Sequence, residues 1–150
     1  MSKIVIADSS CLIGLSKIDQ LDILCKLFER IIIPDAVYYE VVVRGQGRAG
    51  AEEVAKATWI EKRTVQNELA VKALRVTLGF GESEAITLAN ECQSDFIILD
   101  DWKARQMAEA LELPVIGTVA ILHKAVEKGI IENLQQVLDD LRNVGFRFIN

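Results

Sequence analysis

With 150 residues, 51% of them hydrophobic and 26% charged, the chain has the length and apolar content of one ordinary domain and is too apolar to stay disordered. Its net charge of −5 is unfavourable for holding nucleic acid by phosphate neutralisation alone, so any such contact needs local basic patches or bound cations. No apolar run approaches the ~18 residues that span a bilayer, and "MSKIVIAD" lacks the basic start and cleavage site of a signal peptide. A single soluble domain over residues 1–150 in the cytoplasm, away from membranes, is expected. The three cysteines, Cys11, Cys25 and Cys92, are scattered among apolar residues and suggest neither disulfides nor a zinc site, so all three are expected in the core.

In chain order, residues 3–7 (KIVIA) form a short apolar run of the kind buried on both faces of a parallel sheet. A helical spacing follows in "LIGLSKIDQLDILCKLF", then a second strand at 30–33 (RIII) and a helix in "PDAVYYEVVV" opened by Pro34. The segment 44–53 (RGQGRAGAEE) is rich in Gly and Arg, has no apolar periodicity and reads as a mobile loop. Helical patterns return in "ELAVKALRVTL" and "ESEAITLANEC", before a third strand at 96–99 (FIIL) and the helix "WKARQMAEALEL". A fourth strand, 114–116 (PVI), precedes "TVAILHKAVEKG", a helix closed at Gly129 by a glycine cap. Repeated strand-then-helix order predicts an α/β fold, a mostly parallel sheet with helices on both faces and ligands at the carboxyl ends of its strands.

The acids fall where that fold would use them. Asp8 follows the first strand and Asp100 with Asp101 follows the third, so two strands deliver carboxylates to one sheet edge. Glu40 on the helix after the second strand, and Glu82 or Glu84 in the first turn of "GESEAITLAN", would come near them. Crowded carboxylates raise one another's pKa unless a cation neutralises them, and all-oxygen donors suit Mg²⁺ or Mn²⁺. Such an ion activates water and polarises phosphoryl oxygen, which points to phosphodiester hydrolysis. Ser9 suits a helix cap and an outer contact to the metal's water. Each acid also has a plainer use: Asp8 as a helix cap, Glu40 as a solvated surface residue, and one of the adjacent aspartates as the cap of the next helix. Asp101 is assigned to the site and Asp100 to the structural role. At about 100° per residue, Glu82 and Glu84 flank the stripe of Ala85, Leu88, Ala89 and Cys92 on opposite sides, so periodicity leaves that choice open.

"IVIADSSCLIGLSKI", "IPDAVYYEV", "GFGESEAITLA", "FIILDDWKAR" and the closing "VIGTVAILHKAVEKGIIENLQQVLDDLRNVGFRF" together resemble the PIN domains, the metal-dependent nuclease fold that includes VapC-type toxins. The last stretch is similar to a branch of PIN-like proteins without an assigned function. The resemblance covers nearly the whole chain and implies a PIN-like three-layer α/β/α domain. Matched position by position, it implies Asp8, Glu40, Glu84 and Asp101 as catalytic residues, with Asp8, Glu84 and Asp101 as metal ligands. Glu82 and Asp100 are then alternate or outer ligands, and Thr118 a small polar residue nearby. Two departures stand out: Ala104 replaces an Asp found three residues after the acid in many relatives, and Glu84 replaces a commoner Asp.

The expected activity is a Mg²⁺- or Mn²⁺-dependent endoribonuclease with RNA as substrate, and the resemblance implies the toxin of a toxin–antitoxin pair, with a small antitoxin as partner and a homodimer as assembly. Arg44, Arg48, Lys103 and Arg105 are the candidate phosphate contacts. The alternatives are an inert PIN-like scaffold that binds protein or RNA, kept in view by Ala104, and a phospho-acceptor receiver domain, disfavoured because its acidic pair comes early. "GQG" and "GFG" do not fit a dinucleotide fingerprint. His123, the sole histidine, is read as a surface or packing residue, and Trp59 and Trp102 as core or interface.

Overall fold

The strands in the computed structural model, which describes residues 3–148, are β1 (Val5–Ala7), β2 (Ile31–Pro34), β3 (Ile60–Arg63), β4 (Phe96–Ile98) and β5 (Val115–Ile116). The helices are α1 (Ser9–Lys17), α2 (Asp22–Phe28), α3 (Asp35–Tyr38), α4 (Ala51–Lys56), α5 (Glu68–Leu74), α6 (Phe80–Cys92), α7 (Trp102–Ala110), α8 (Thr118–Glu127) and α9 (Leu134–Asn143). A π-helical turn, Tyr39–Val43, continues α3. All five strands are parallel, in the order β3-β2-β1-β4-β5.

The period-two alternation of strand side chains divides the core into two layers. Val5, Ala7, Ile31, Ile33 and Ile98 pack with apolar residues of α1, α2, α8 and α9, including Leu12, Leu24, Leu122 and Leu141. Ile6, Ile32, Ile97 and Leu99 pack instead with α5, α6 and α7 through Val71, Ile86, Leu88 and Ala104. Burial on both faces explains why β1 and β2 are written almost wholly in Ile, Val and Ala. The result is the three-layer α/β/α arrangement expected of a PIN-like domain.

From β1 the chain moves outward through β2 to β3, then returns to the other side of β1 for β4 and β5. The direction of winding therefore reverses between β1 and β4, where the connections after the two strands diverge and leave a crevice at their carboxyl ends. Asp8 and the Asp100–Asp101 pair are the residues delivered there.

Several sequence expectations change. The helical segment over 12–28 is two helices, broken where Asp19 takes a left-handed φ of 57°. β3 was not anticipated, because its sequence, Ile-Glu-Lys-Arg, is that of a polar edge strand with one partner. α9 was also not singled out; Asn133 caps it by accepting from the Gln136 N–H at 3.0 Å. The loop expected over 44–53 ends early, since α4 starts at Ala51. Gly129 does close α8 as expected, with φ +74°. Cys11 is buried, whereas Cys25 and Cys92 are only half-buried. Among the described residues no helix is long and apolar enough to cross a membrane.

Candidate active site

Above the crevice lies a cavity of about 630 Å³ lined by Asp8, Glu40, Glu82, Asp100 and Asp101. Each acid arrives by a different local device. Asp8 ends β1 with extended backbone (φ −87°, ψ 173°) at the N-cap of α1, yet its side chain makes no capping hydrogen bond. Its carboxylate is thus free of the plainer role considered for it. The backbone instead is pinned to the sheet, with the Asp8 N–H donating to the Ile98 carbonyl at 3.2 Å. Glu40 sits in the π-helical turn, a local widening that recurs at functional sites. Its Oε2 accepts from Ser9 Oγ at 2.5 Å, so Ser9 orients Glu40 instead of capping α1.

Both aspartates border the cavity, and the capping role expected of Asp100 falls to Asp101. Asp101 caps α7, its Oδ2 accepting from the Ala104 N–H at 3.0 Å, while still bordering the cavity. Asp100 lies deeper. Its Oδ2 accepts from Thr118 Oγ1 at 2.7 Å and Ser10 Oγ at 3.1 Å, and its Oδ1 from the Thr118 N–H at 2.9 Å. Buried Thr118, placed near the site by resemblance alone, is in contact with its central acid.

Glu84 is placed elsewhere. Its Oε1 accepts from the Ala36 N–H at 2.8 Å, satisfying the first turn of α3, and its charged neighbours are Asp35 and Arg75. Glu84 does not line the cavity; Glu82 does, anchored by the Gly79 N–H at 3.1 Å. Residues two apart on a helix point about 200° apart, so one glutamate must turn away once the other faces the cleft.

The electrostatics reflect crowding. Asp8 is 5% exposed, and burial, with the charges of Glu82, Glu40 and Asp100, lifts its carboxyl to about 7 against the pull of the Ser9 N–H. Burial also raises Glu82, reinforced by Asp101 and Glu40 and opposed by the Gly79 N–H. Among the described residues none of the five acids forms an ion pair. Gly81 keeps the centre open: a Cβ there would stand 3.2 Å from Glu40 Oε1 and 3.3 Å from Asp8 Oδ1, filling the space both oxygens face.

This donor set fits Mg²⁺ or Mn²⁺, hard ions that take oxygen ligands. No three acidic, His or Cys side chains among the described residues already form a ready-made metal group.

Of the four candidate phosphate contacts, Arg44, Arg48 and Lys103 are exposed and line neither cavity of the cleft region. Arg105 lies beside the cleft, in a smaller adjoining cavity. The cations at the main cavity are Lys17, one helix length from Asp8, and Arg147 in the C-terminal segment. Sequence reading missed both; the position of Lys17 at the end of the helix opened by Asp8 was the available signal, and Arg147 had none. Trp102 is 60% exposed and borders the acids, unlike Trp59, which packs on the core. His123 is exposed on α8 as expected, but faces the adjoining cavity.

A parallel sheet whose winding reverses at a cluster of acids defines a class of α/β protein, and the comparisons specify it. A family model described as a PIN domain matches residues 4–150, and the chain belongs to that family, whose fold is of nuclease type. Its structure is similar to that of a PilT N-terminus domain protein from the archaeon Sulfolobus solfataricus P2. The two share 20% identity with a TM-score of 0.56, over 83% of this chain and 95% of that one, a likeness of fold. A search of curated proteins finds no match.

Proposed function

We propose that the cleft is the active site of a divalent-metal-dependent endoribonuclease. The observation that carries this is the gathering of five carboxylates, one nearly buried, around one open cavity without an ion-pair partner among the described residues. A folded protein keeps such mutual repulsion only where a ligand relieves it. An inert scaffold has no use for it.

Asp8, Asp100, Asp101, Glu40 and Glu82 would hold Mg²⁺ or Mn²⁺, which supplies an activated water and charge stabilisation at the phosphoryl group. Asp8 holds a proton near neutral pH in the bare cleft and must release it to act as a ligand. Ser9 fixes Glu40, and Ser10 with Thr118 fixes Asp100, so the acids are oriented before substrate arrives. Lys17 and Arg147 at the cavity offer phosphate contacts that the acidic chain otherwise lacks.

Assignment as a toxin with a small antitoxin partner and a homodimeric assembly is supported by the sequence resemblance to VapC-type proteins alone. The activity is tested with single-stranded RNA. Wild-type protein should cut it with Mg²⁺ or Mn²⁺, and EDTA or Asp8→Asn should each lower the rate at least about a hundredfold. Cutting that survives both treatments contradicts the proposal.

A further inference from the structure

The acid cleft does not stop at Asp100. A second cavity of about 280 Å³ adjoins it, sharing Asp100, Phe146 and Phe148 with the first and lined further by Arg105, Gly117, Ala120 and His123. Arg105 is half-buried on α7, and its Nη1 donates to the Leu99 carbonyl at 3.2 Å, which holds the guanidinium in place. That bond uses one of five N–H donors, and among the described residues Arg105 makes no other hydrogen bond and no ion pair. The fold makes room for this side chain. A Cβ at Gly117 would stand 2.5 Å from Nη1, so any other residue there would displace the guanidinium.

The neighbouring acid does not consume the charge. Asp100 turns its oxygens to Ser10 and Thr118, and no contact within ion-pair distance joins it to Arg105. Free guanidinium donors suit a phosphate oxygen pair, and the first turn of α8, whose residues Val119 and Ala120 line the cavity, favours the same charge. His123 adds an imidazole from the same helix. Between the cavities stand the rings of Phe146 and Phe148, edge to face at 5.3 Å between centroids, a half-buried aromatic surface of the kind on which bases stack.

We infer that this second cavity is a nucleotide subsite, which takes the residue of a single strand next to the scissile phosphate. Its phosphate lies on Arg105 and His123, and its base against Phe146 and Phe148. The inference rests on the nuclease reading for its position in the reaction, but not for its ligand.

His123 is the only histidine, so its ring C–H resonances report on the cavity without assignment. Titration with uridine 5′-monophosphate in EDTA should shift them saturably in the wild type and equally in Asp8→Asn. Arg105→Ala should weaken this binding about tenfold or more, as the loss of a charge-assisted contact implies. Ala120→Trp, which fills the cavity from an exposed position and leaves Arg105 in place, should do the same. No saturable shift, or unchanged affinity in both variants, overturns the subsite. RNA cleavage by a protein that shows no such response overturns the subsite and leaves the nuclease standing. A response in a protein that cuts no RNA with Mg²⁺ or Mn²⁺ overturns the nuclease, and the placement beside a scissile phosphate with it.

Discussion

Two helix starts border the cleft, each carrying two acids, and they use them differently. At α7, Asp100 and Asp101 both border the cavity, because they lie in the strand-to-helix link where neither is yet bound to helical periodicity. At α6, Glu82 in the first turn and Glu84 just beyond it are bound to helical periodicity and diverge, one to the cavity and the other to the N-terminus of α3. Acids placed ahead of a helix can therefore serve a cleft together, whereas acids two apart on a helix must divide between neighbours. Asp8 lies between the two starts; burial is the main cause of its raised pKa, and Glu82 from one start and Asp100 from the other add to it.

The largest effect should come from the burial of Asp8, to which its charged neighbours add. Its folded carboxyl holds a proton up to about 7, whereas an unfolded one releases it near 3.8. The metal-free folded state is thus favoured at low pH and loses stability as pH rises from about 4 through 7. At ~1.4 kcal/mol per pKa unit the span is on the order of a few kcal/mol. Urea denaturation in EDTA from pH 5 to pH 8 should show this fall in the wild type. Asp8→Asn should flatten most of it and be the more stable protein at pH 8; an unchanged slope would mean that burial and its charged neighbours do not hold Asp8 protonated.

A smaller effect separates the two aspartates. Asp100→Ala leaves the Thr118 N–H and the hydroxyls of Thr118 and Ser10 without their acceptor, at a cost of roughly 1–3 kcal/mol. Asp101→Asn keeps a side-chain oxygen for the Ala104 N–H and should change stability by only a few tenths of a kcal/mol. Thermal unfolding of the two variants in EDTA measures the difference. Equal destabilisation would erase the distinction between a deep acid and a capping one.

The sequence made the crevice legible because its strands are buried on both faces and its acids follow them directly, as "IVIAD" and "FIILDD" display. β3 escaped notice because an edge strand with Glu61, Lys62 and Arg63 carries its stability in backbone pairing to β2, not in apolar alternation. That Glu82 and not Glu84 borders the cavity has a tertiary reason. Both flank the apolar stripe of α6, and the decision lies with the N–H of Ala36, which α3 presents to α6 from 48 residues away. The order of Asp100 and Asp101 depended likewise on Thr118 and on which residue precedes Trp102 as cap, facts of backbone position. The adjoining cavity was least visible, since Arg105, Gly117, His123 and the Phe146–Phe148 pair meet only through folding.

The central claim is that the cleft bordered by Asp8, Asp100, Asp101, Glu40 and Glu82 takes a divalent cation, one or two of these acids binding it directly and the others through its waters, and that Glu84 takes no part. Isothermal titration calorimetry with Mn²⁺ on the wild type, Asp8→Asn, Glu82→Gln and Glu84→Gln tests it most directly. Saturable binding should appear in the wild type, persist within about twofold in Glu84→Gln, weaken about 10–100-fold in Glu82→Gln and vanish in a folded Asp8→Asn. Undiminished affinity in Asp8→Asn, or loss in Glu84→Gln with retention in Glu82→Gln, would contradict the account.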